Sequence, residues 1–288
     1  MKLFFNFKYF LEFITVSTFF LIFKVLGNKT SSSISQKIFC FFGPYFRSNK
    51  IIENNFHNVF PNINKSEIEK YSKEMWGYYG AILAEYPFLK NLRNESFNNI
   101  KIIGKDNLDE IKQKKEKVIF ISGHFDNFEL MAMVIEKYGI DLAAIYRPLN
   151  NFFLNPLMEK IRKNYICKNQ IKKGRSSMKS LVSLFKSGSS IALMIDQRVS
   201  EGIKAKFFSK YAYTTTIPAQ FVKKYNCRVV PIYIERTNGM NFNIRVSKPI
   251  KFHQEDTILT ITENLNQELE KMVLINPSKW IWTHNRWK

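Results

Sequence analysis

Residues 118–137 read VIFISGHFDNFELMAMVIEK. A β-rich apolar run ends at Ser122, Gly123 marks a turn, and an apolar stretch of helical period follows over about 127–138. The same unit recurs downstream. Val118–Ser122, Leu142–Tyr146, Ile191–Ile195, Val229–Ile234 and Phe242–Val246 are strand candidates. Stretches near 127–138, 152–164, 176–187, 216–226 and 257–274 are helix candidates. Strands alternating with helices predict an α/β fold, with a mixed, mostly parallel sheet flanked by helices. A short Thr237-Asn238-Gly239 turn joins the last two strands, so a hairpin and an antiparallel edge are expected.

Upstream the pattern is helical. Ser66-x-x-Glu69 reads as a capping box, followed by Ile68, Tyr71, Met75, Tyr79, Ile82 and Tyr86 at helical spacing. Before it lies LFFNFKYFLEFITVSTFFLIFKVL, residues 3–26. Its longest uncharged run, Phe13–Phe23, is about half of what a spanning helix needs, and reaching full length takes in Lys8 and Glu12. Three placements fit it: a membrane anchor, a helix lying in the interface, or a buried core helix. If it spans, Lys24, Lys29, Lys37, Arg47 and Lys50 follow it, and the positive-inside rule puts the rest of the chain in the cytoplasm. No small-residue cleavage site follows, which argues against a removable signal peptide. The expected division is an anchor or interfacial helix over 1–27, then one domain over 28–288. That domain is helical over 28–100 with an α/β core over 101–288.

The 288 residues are 45% hydrophobic and carry 44 Lys+Arg against 24 Asp+Glu, a net charge of +20. Wholesale disorder is excluded, and a polyanionic partner is implied: lipid head groups, a phosphorylated substrate, an acidic protein or nucleic acid. The three cysteines, Cys40, Cys167 and Cys227, form no CxxC and point to a reducing compartment. Nucleic acid explains the charge but not the N-terminal segment, and no finger, RNP-like or helix-turn-helix motif accompanies it.

In open α/β sheets ligands bind beyond the carboxyl ends of the strands. Three polar clusters sit there: Gly123-His124 through Glu129, Tyr146-Arg147-Pro148, and Asp196-Gln197-Arg198. Asp126 and Asn127 are natural caps for the helix after His124. In one continuous helix His124 and Glu129 would stand about 140° apart. With His124 in the preceding turn, the Glu129 carboxylate can fold back and take one ring N–H, leaving the other nitrogen as a general base. Arg147 suits an anion, and Lys172-Lys173-Gly174-Arg175-Ser176 suits phosphate at a helix start. His57, His253 and His284 show no metal-ligand spacing, and no P-loop, GxGxxG or GxSxG motif occurs.

In order along the chain, these residues resemble the late acyltransferases of bacterial lipid A assembly, which transfer lauroyl or myristoyl groups to Kdo-bearing precursors. The match takes in the hydrophobic N-terminus, Gly123-His124-x4-Glu129, Tyr146-Arg147-Pro148 with Asn155-Pro156, Gly174-Arg175, and Asp196-Gln197. It continues through Phe207-Phe208, Thr214–Thr216 with Pro218-Ala219, Pro231 and the Trp-rich tail from Pro277 to Lys288. Ser209 stands where Gly is usual, and Lys173 where Arg is more usual. The resemblance implies a glycerolipid-acyltransferase-like fold with an N-terminal anchor helix. It implies a catalytic pair in which His124 deprotonates an acceptor hydroxyl and Glu129 orients it. Arg147 and Arg175 would hold phosphate, and Asp196 and Gln197 would shape the site. It further implies acyl carrier protein or acyl-CoA as donor and an anionic glycolipid acceptor. No cofactor or metal is implied, and the place of action is the cytoplasmic face of the inner membrane. Another glycolipid, a phospholipid or an ornithine-type lipid is the alternative acceptor. Glycerolipid acyltransferases carry His-x4-Asp and a Glu-Gly-Thr-Arg segment; here the acid is Glu129 and that segment has no clear equivalent.

Overall fold

The computed structural model describes residues 2–94, 98–174 and 177–288. Five helices come first: α1 (Lys2–Leu26), α2 (Asn28–Phe42), α3 (Asn49–Val59), α4 (Lys65–Glu85) and α5 (Leu89–Asn94). The α/β part runs β1 (Ile100–Ile103), α6 (Lys105–Gln113), β2 (Ile119–Ser122), α7 (Leu130–Lys137), β3 (Leu142–Tyr146), α8 (Leu154–Tyr165), β4 (Asn169–Lys172), α9 (Met178–Lys186) and β5 (Ser190–Met194). After the hairpin β6 (Ile203–Phe207) and β7 (Lys210–Thr214) come α10 (Ile217–Tyr225), β8 (Val229–Asn238), β9 (Asn241–Val246) and α11 (Ile258–Ile275).

Seven strands form one sheet in the order β1-β9-β8-β2-β5-β3-β4. Every pairing in it is parallel except β8–β9, which is antiparallel as the turn signal predicts. The mixed, mostly parallel sheet flanked by helices is therefore as expected. Alternate strand residues face two separate cores. Phe120, Ala144, Val230 and Ile232 join α4 to α8 on one face. Ile119, Ile121, Ile191 and Val229 join α3 and α9 to α11 on the other. Strand β2 is buried at all four positions, which is why it reads as a continuous apolar run.

Four strands, β1, β4, β6 and β7, are absent from the sequence reading. The first two are short sheet edges with polar positions, and the other two form a separate hairpin. In that hairpin's turn Phe208 and Ser209 have φ of 49° and 61°, so the Gly-to-Ser replacement falls on a left-handed residue. The capping box also moves. Helix α4 is capped by Asn64, whose side chain accepts from Glu67 N while the Glu67 carboxylate accepts from Asn64 N. Ser66 lies inside the helix. Asn64 meets the same Asx/Ser-x-x-Glu spacing two residues earlier, so the pattern alone does not discriminate.

The helical part is tightly joined. Helices α2 and α4 cross so closely that a Cβ on Gly80 would stand 2.3 Å from the Ser35 carbonyl oxygen, and the Ser35 hydroxyl donates to Gly80 O at 2.7 Å. Among the described residues α1 is the helix long and apolar enough to cross a membrane, over Asn6–Leu26 with mean hydropathy 1.8. It nevertheless packs on the domain along its length. Asn151 Nδ2 donates to Tyr9 O at 2.8 Å and to Glu12 Oε2 at 3.0 Å. Phe10 meets Phe153 edge-on, Phe20 stacks on Tyr86, and Ser31 Oγ donates to Phe23 O at 2.8 Å.

Candidate active site

Strands β2 and β5 are parallel neighbours with Ser122 paired to Met194. Two residues beyond each partner stand His124 and Asp196, so the register itself brings them together. His124 Nδ1 lies 2.7 Å from Asp196 Oδ1, and the His124 backbone N–H donates to Asp196 Oδ2 at 2.7 Å. The turn between them requires Gly123, whose Cβ would come within 2.7 Å of the Phe125 ring and 2.9 Å of Leu269. Asp196 is buried and takes a third hydrogen bond, from Trp280 Nε1 at 3.0 Å. Burial favours its neutral acid, but the His124 charge and these donors outweigh it and hold Asp196 below the ordinary carboxylate range. Burial likewise disfavours an imidazolium at His124. The charge and hydrogen bond of Asp196, with a further contribution from the Glu129 charge, raise it above the usual histidine value nonetheless. A carboxylate on Nδ1 fixes the N–H there and leaves Nε2 as the proton acceptor.

Glu129 is not the hydrogen-bond partner of His124, contrary to the expected fold-back. Its Oε1 accepts from Arg162 Nε at 2.9 Å, from Arg162 Nη2 at 2.7 Å and from the Tyr86 hydroxyl. The reason is local: the loop after His124 is longer than the helix start requires. Asp126 and Asn127 do not cap α7, which begins at Leu130 without a side-chain cap. Asp126, at φ 42°, instead binds Arg236 and Lys279, and Asn127 Nδ2 donates to Glu85.

One cavity of about 440 Å³ brings together four of the predicted residues, His124, Glu129, Arg147 and Gln197. Its polar lining includes His124, Glu129, Arg147, Arg162, Lys173 and Gln197, and its apolar lining includes Met131, Ala132, Ala144, Ile145, Ile166 and Leu193. Lys173 is held below the ordinary lysine range, first by desolvation and also by the Arg147 charge, with Glu201 opposing. Asp196 lies behind His124 rather than among the cavity-lining residues. Arg175 lies outside the described residues. No group of three or more His, Cys, Asp or Glu able to hold a metal is found among the described residues.

A model of the bacterial lipid A biosynthesis acyltransferase family matches residues 2–288. The chain belongs to that family. The resemblance read from the motifs is thereby borne out. The lipid A biosynthesis acyltransferase of Haemophilus influenzae is 22% identical over 182 residues, 62% of this chain and 57% of that protein. The lipid A biosynthesis lauroyltransferase of Escherichia coli is 22% identical over 252 residues, 84% of this chain and 79% of that protein. The myristoyltransferase of the same organism is 23% identical over 186 residues, 62% of this chain and 56% of that protein. Two of these three alignments thus span little more than half of the relative's length. Among solved structures, the 1-acyl-sn-glycerophosphate acyltransferase of Thermotoga maritima is similar at TM-score 0.39 and 14% identity, over 91% of this chain and 98% of that one.

In this acyltransferase, sequence reasoning passed over Arg162, Tyr86 and Trp280. Arg162 sits inside α8 with nothing in its surroundings to mark it among 44 basic residues. Tyr86 reads as one more apolar position of a helical stripe. Only its hydroxyl, bonded to Glu129 and to Arg162 Nη2 at 3.0 Å, separates it from the core.

Proposed function

We propose that the chain is a membrane-associated O-acyltransferase. It moves a fatty acyl group from an acyl carrier protein thioester to a hydroxyl of a Kdo-bearing lipid A precursor. The observation that carries the reading is the His124–Asp196 pair beside a cavity lined by both basic and apolar side chains. Nε2 of His124 takes the acceptor hydroxyl proton, and the oxygen attacks the thioester carbonyl carbon. The C–S bond then breaks, and the departing thiolate recovers the proton from the imidazolium. Asp196 fixes the ring and balances its charge. Glu129 stays in the reading as a second carboxylate on the same cavity, acting on His124 through charge while Arg162 and Tyr86 hold it. Arg147 and Lys173 face the phosphate of the acceptor or of the donor's phosphopantetheine. The apolar lining takes the acyl chain.

The packing of α1 supports an interfacial placement, and the reading puts it at the cytoplasmic face of the inner membrane. From Tyr9 to Phe23 the helix contacts the domain over about 21 Å at 1.5 Å per residue, too much to leave ~30 Å free for a bilayer core. Its outer side exposes Phe7, Leu11, Ile14, Leu21 and Val25, and α2 adds Ile38, Phe41 and Phe42.

Purified protein with acyl carrier protein thioester and the Kdo-bearing precursor is expected to give a product heavier by one acyl group in mass spectrometry, and His124→Ala none. Transfer only from acyl-CoA, or only to a phospholipid or ornithine lipid, would replace the donor or acceptor. Unchanged turnover in His124→Ala would overturn the mechanism.

A further inference from the structure

The C-terminal segment does more than close the fold. Phe125 and Trp280 form an antiparallel bridge, and the Asp126 N–H donates to Lys279 O at 3.0 Å. The tail therefore pairs, through a single bridge, with the residue next to His124. The Trp280 indole N–H then reaches the other partner, Asp196 Oδ2, at 3.0 Å. The tail thus reaches both halves of the pair, through its bridge to the turn residue beside His124 and through the Trp280 side chain on the acid. Lys279 secures the same turn, with Nζ 2.9 Å from Asp126 Oδ2 and 3.1 Å from Arg236 O. The segment is held from outside the site. Asn55 Nδ2 donates to Trp282 O and His284 O, each at 2.7 Å, and Trp282 stacks on Phe56 at 3.8 Å.

We infer that Trp280 is a positioning residue, whose indole N–H locks the Asp196 carboxylate so that Oδ1 faces His124 Nδ1 and only the Nδ1–H tautomer forms. Without that donor Oδ2 keeps only the His124 backbone N–H at 2.7 Å, so the carboxylate can turn further about its Cβ–Cγ bond and loosen the orientation of the imidazole. The inference deepens the proposed base role of His124. The two can fail separately, because ring tautomers are read without turnover.

The chain has four histidines, so 15N-histidine spectra of the full protein in detergent are tractable. Trp280→Phe removes the N–H while keeping an aromatic ring against Phe207 and Trp282. The His124 signal is expected to change from a single Nδ1–H tautomer to a mixture, with kcat down about tenfold or more and KM within about twofold. Trp280→His, which can return a ring N–H, should restore both. Trp282→Phe is the tail control, because its N–H goes to Pro277 O at 2.7 Å. It should lower Tm and leave the His124 tautomer alone. A single Nδ1–H tautomer in Trp280→Phe, or an equal tautomer change in Trp282→Phe, would overturn the inference. If Trp280→Phe does not fold, Trp280→His decides: a mixed tautomer or lost rate there counts against it.

Discussion

Asp196→Asn tests the His124–Asp196 pair most sharply, because the two side chains are nearly isosteric and the site is buried. In the wild type three donors converge on the carboxylate: the His124 backbone N–H, the His124 ring and Trp280 Nε1. An amide has one acceptor oxygen, so two donors on Oδ2 claim it and the NH2 group is left facing Nδ1. That group can only donate, which puts the ring proton on Nε2 and removes the base. The imidazolium also loses its counter-charge at 2.7 Å. A wrong tautomer of this kind costs ~10⁴ in kcat in the serine-protease triad, or about 5 kcal/mol of barrier. We expect a loss of ~10³ to 10⁴ in acyl transfer, measured in single turnover to avoid product release. The pH profile adds a signed check. Activity needs neutral His124, so it rises with pH through a value raised by Asp196. Without the charge, the acid limb of the residual activity moves to lower pH. A fall of less than about tenfold with an unmoved limb would refute Asp196 as the partner and return that role to Glu129.

Two further outcomes follow from the buried charges. Arg162→Met strands the Glu129 carboxylate, now bonded to Tyr86 alone, so stability should fall by about 3–5 kcal/mol in chemical denaturation. No change would mean that the pair is solvent-relaxed. His284 Nε2 accepts the Arg198 N–H at 2.8 Å, and burial pushes its value down to about 4 from 6.5. The folded protein thus binds this proton less readily than the unfolded chain. Its contribution to stability is full above about pH 6.5 and is lost as pH falls towards 4. Tm measured across that window should drop less steeply in His284→Asn, and parallel curves would exclude the histidine as the cause.

Where sequence and structure agree, the signal was local. Strand β3 is fully given by its own five residues, and α11 lies one residue along from the predicted 257–274. The sheet edge with Gly123-His124, Arg147 and Gln197 was legible for the same reason, since a strand end and its turn are contiguous in the chain. What was not legible depends on which strands are neighbours. The parallel β2–β5 register carries Asp196 to His124 across 72 residues, and α8 carries Arg162 to Glu129 across 33. Spacing in the chain favoured Glu129 as the ring's partner because it is near in sequence. The fold favours Asp196 because the two strands end at the same level.

The same distinction separates the two uses of charge in this molecule. Among the described residues the buried charged side chains are Glu85, Asp126, Glu129 and Asp196 against Arg236, Lys279 and Arg286. The carboxylates outnumber the bases, so the interior holds none of the +20 excess. Inside, charges are spent on geometry: Arg236 bridges Glu85 and Asp126, and Lys279 ties Asp126 to the tail. An isolated buried ion would cost several kcal/mol, so these four groups persist as a matched set, while Arg286 donates to neutral acceptors, Tyr213 O at 2.8 Å and Thr214 Oγ1 at 2.7 Å. The excess is therefore a surface property. Beside an anionic leaflet each basic side chain contributes roughly 1 kcal/mol, and the effect fades within a Debye length. Lys24, Lys29, Lys37, Arg47 and Lys50 lie in sequence at the end of α1, within α2 and just after it, beside the segments whose exposed apolar residues would meet such a leaflet under the proposed placement. Sedimentation with vesicles gives this its test. Binding should weaken as anionic lipid is diluted or salt is raised, and binding indifferent to both would leave only the apolar side to hold the chain on the membrane.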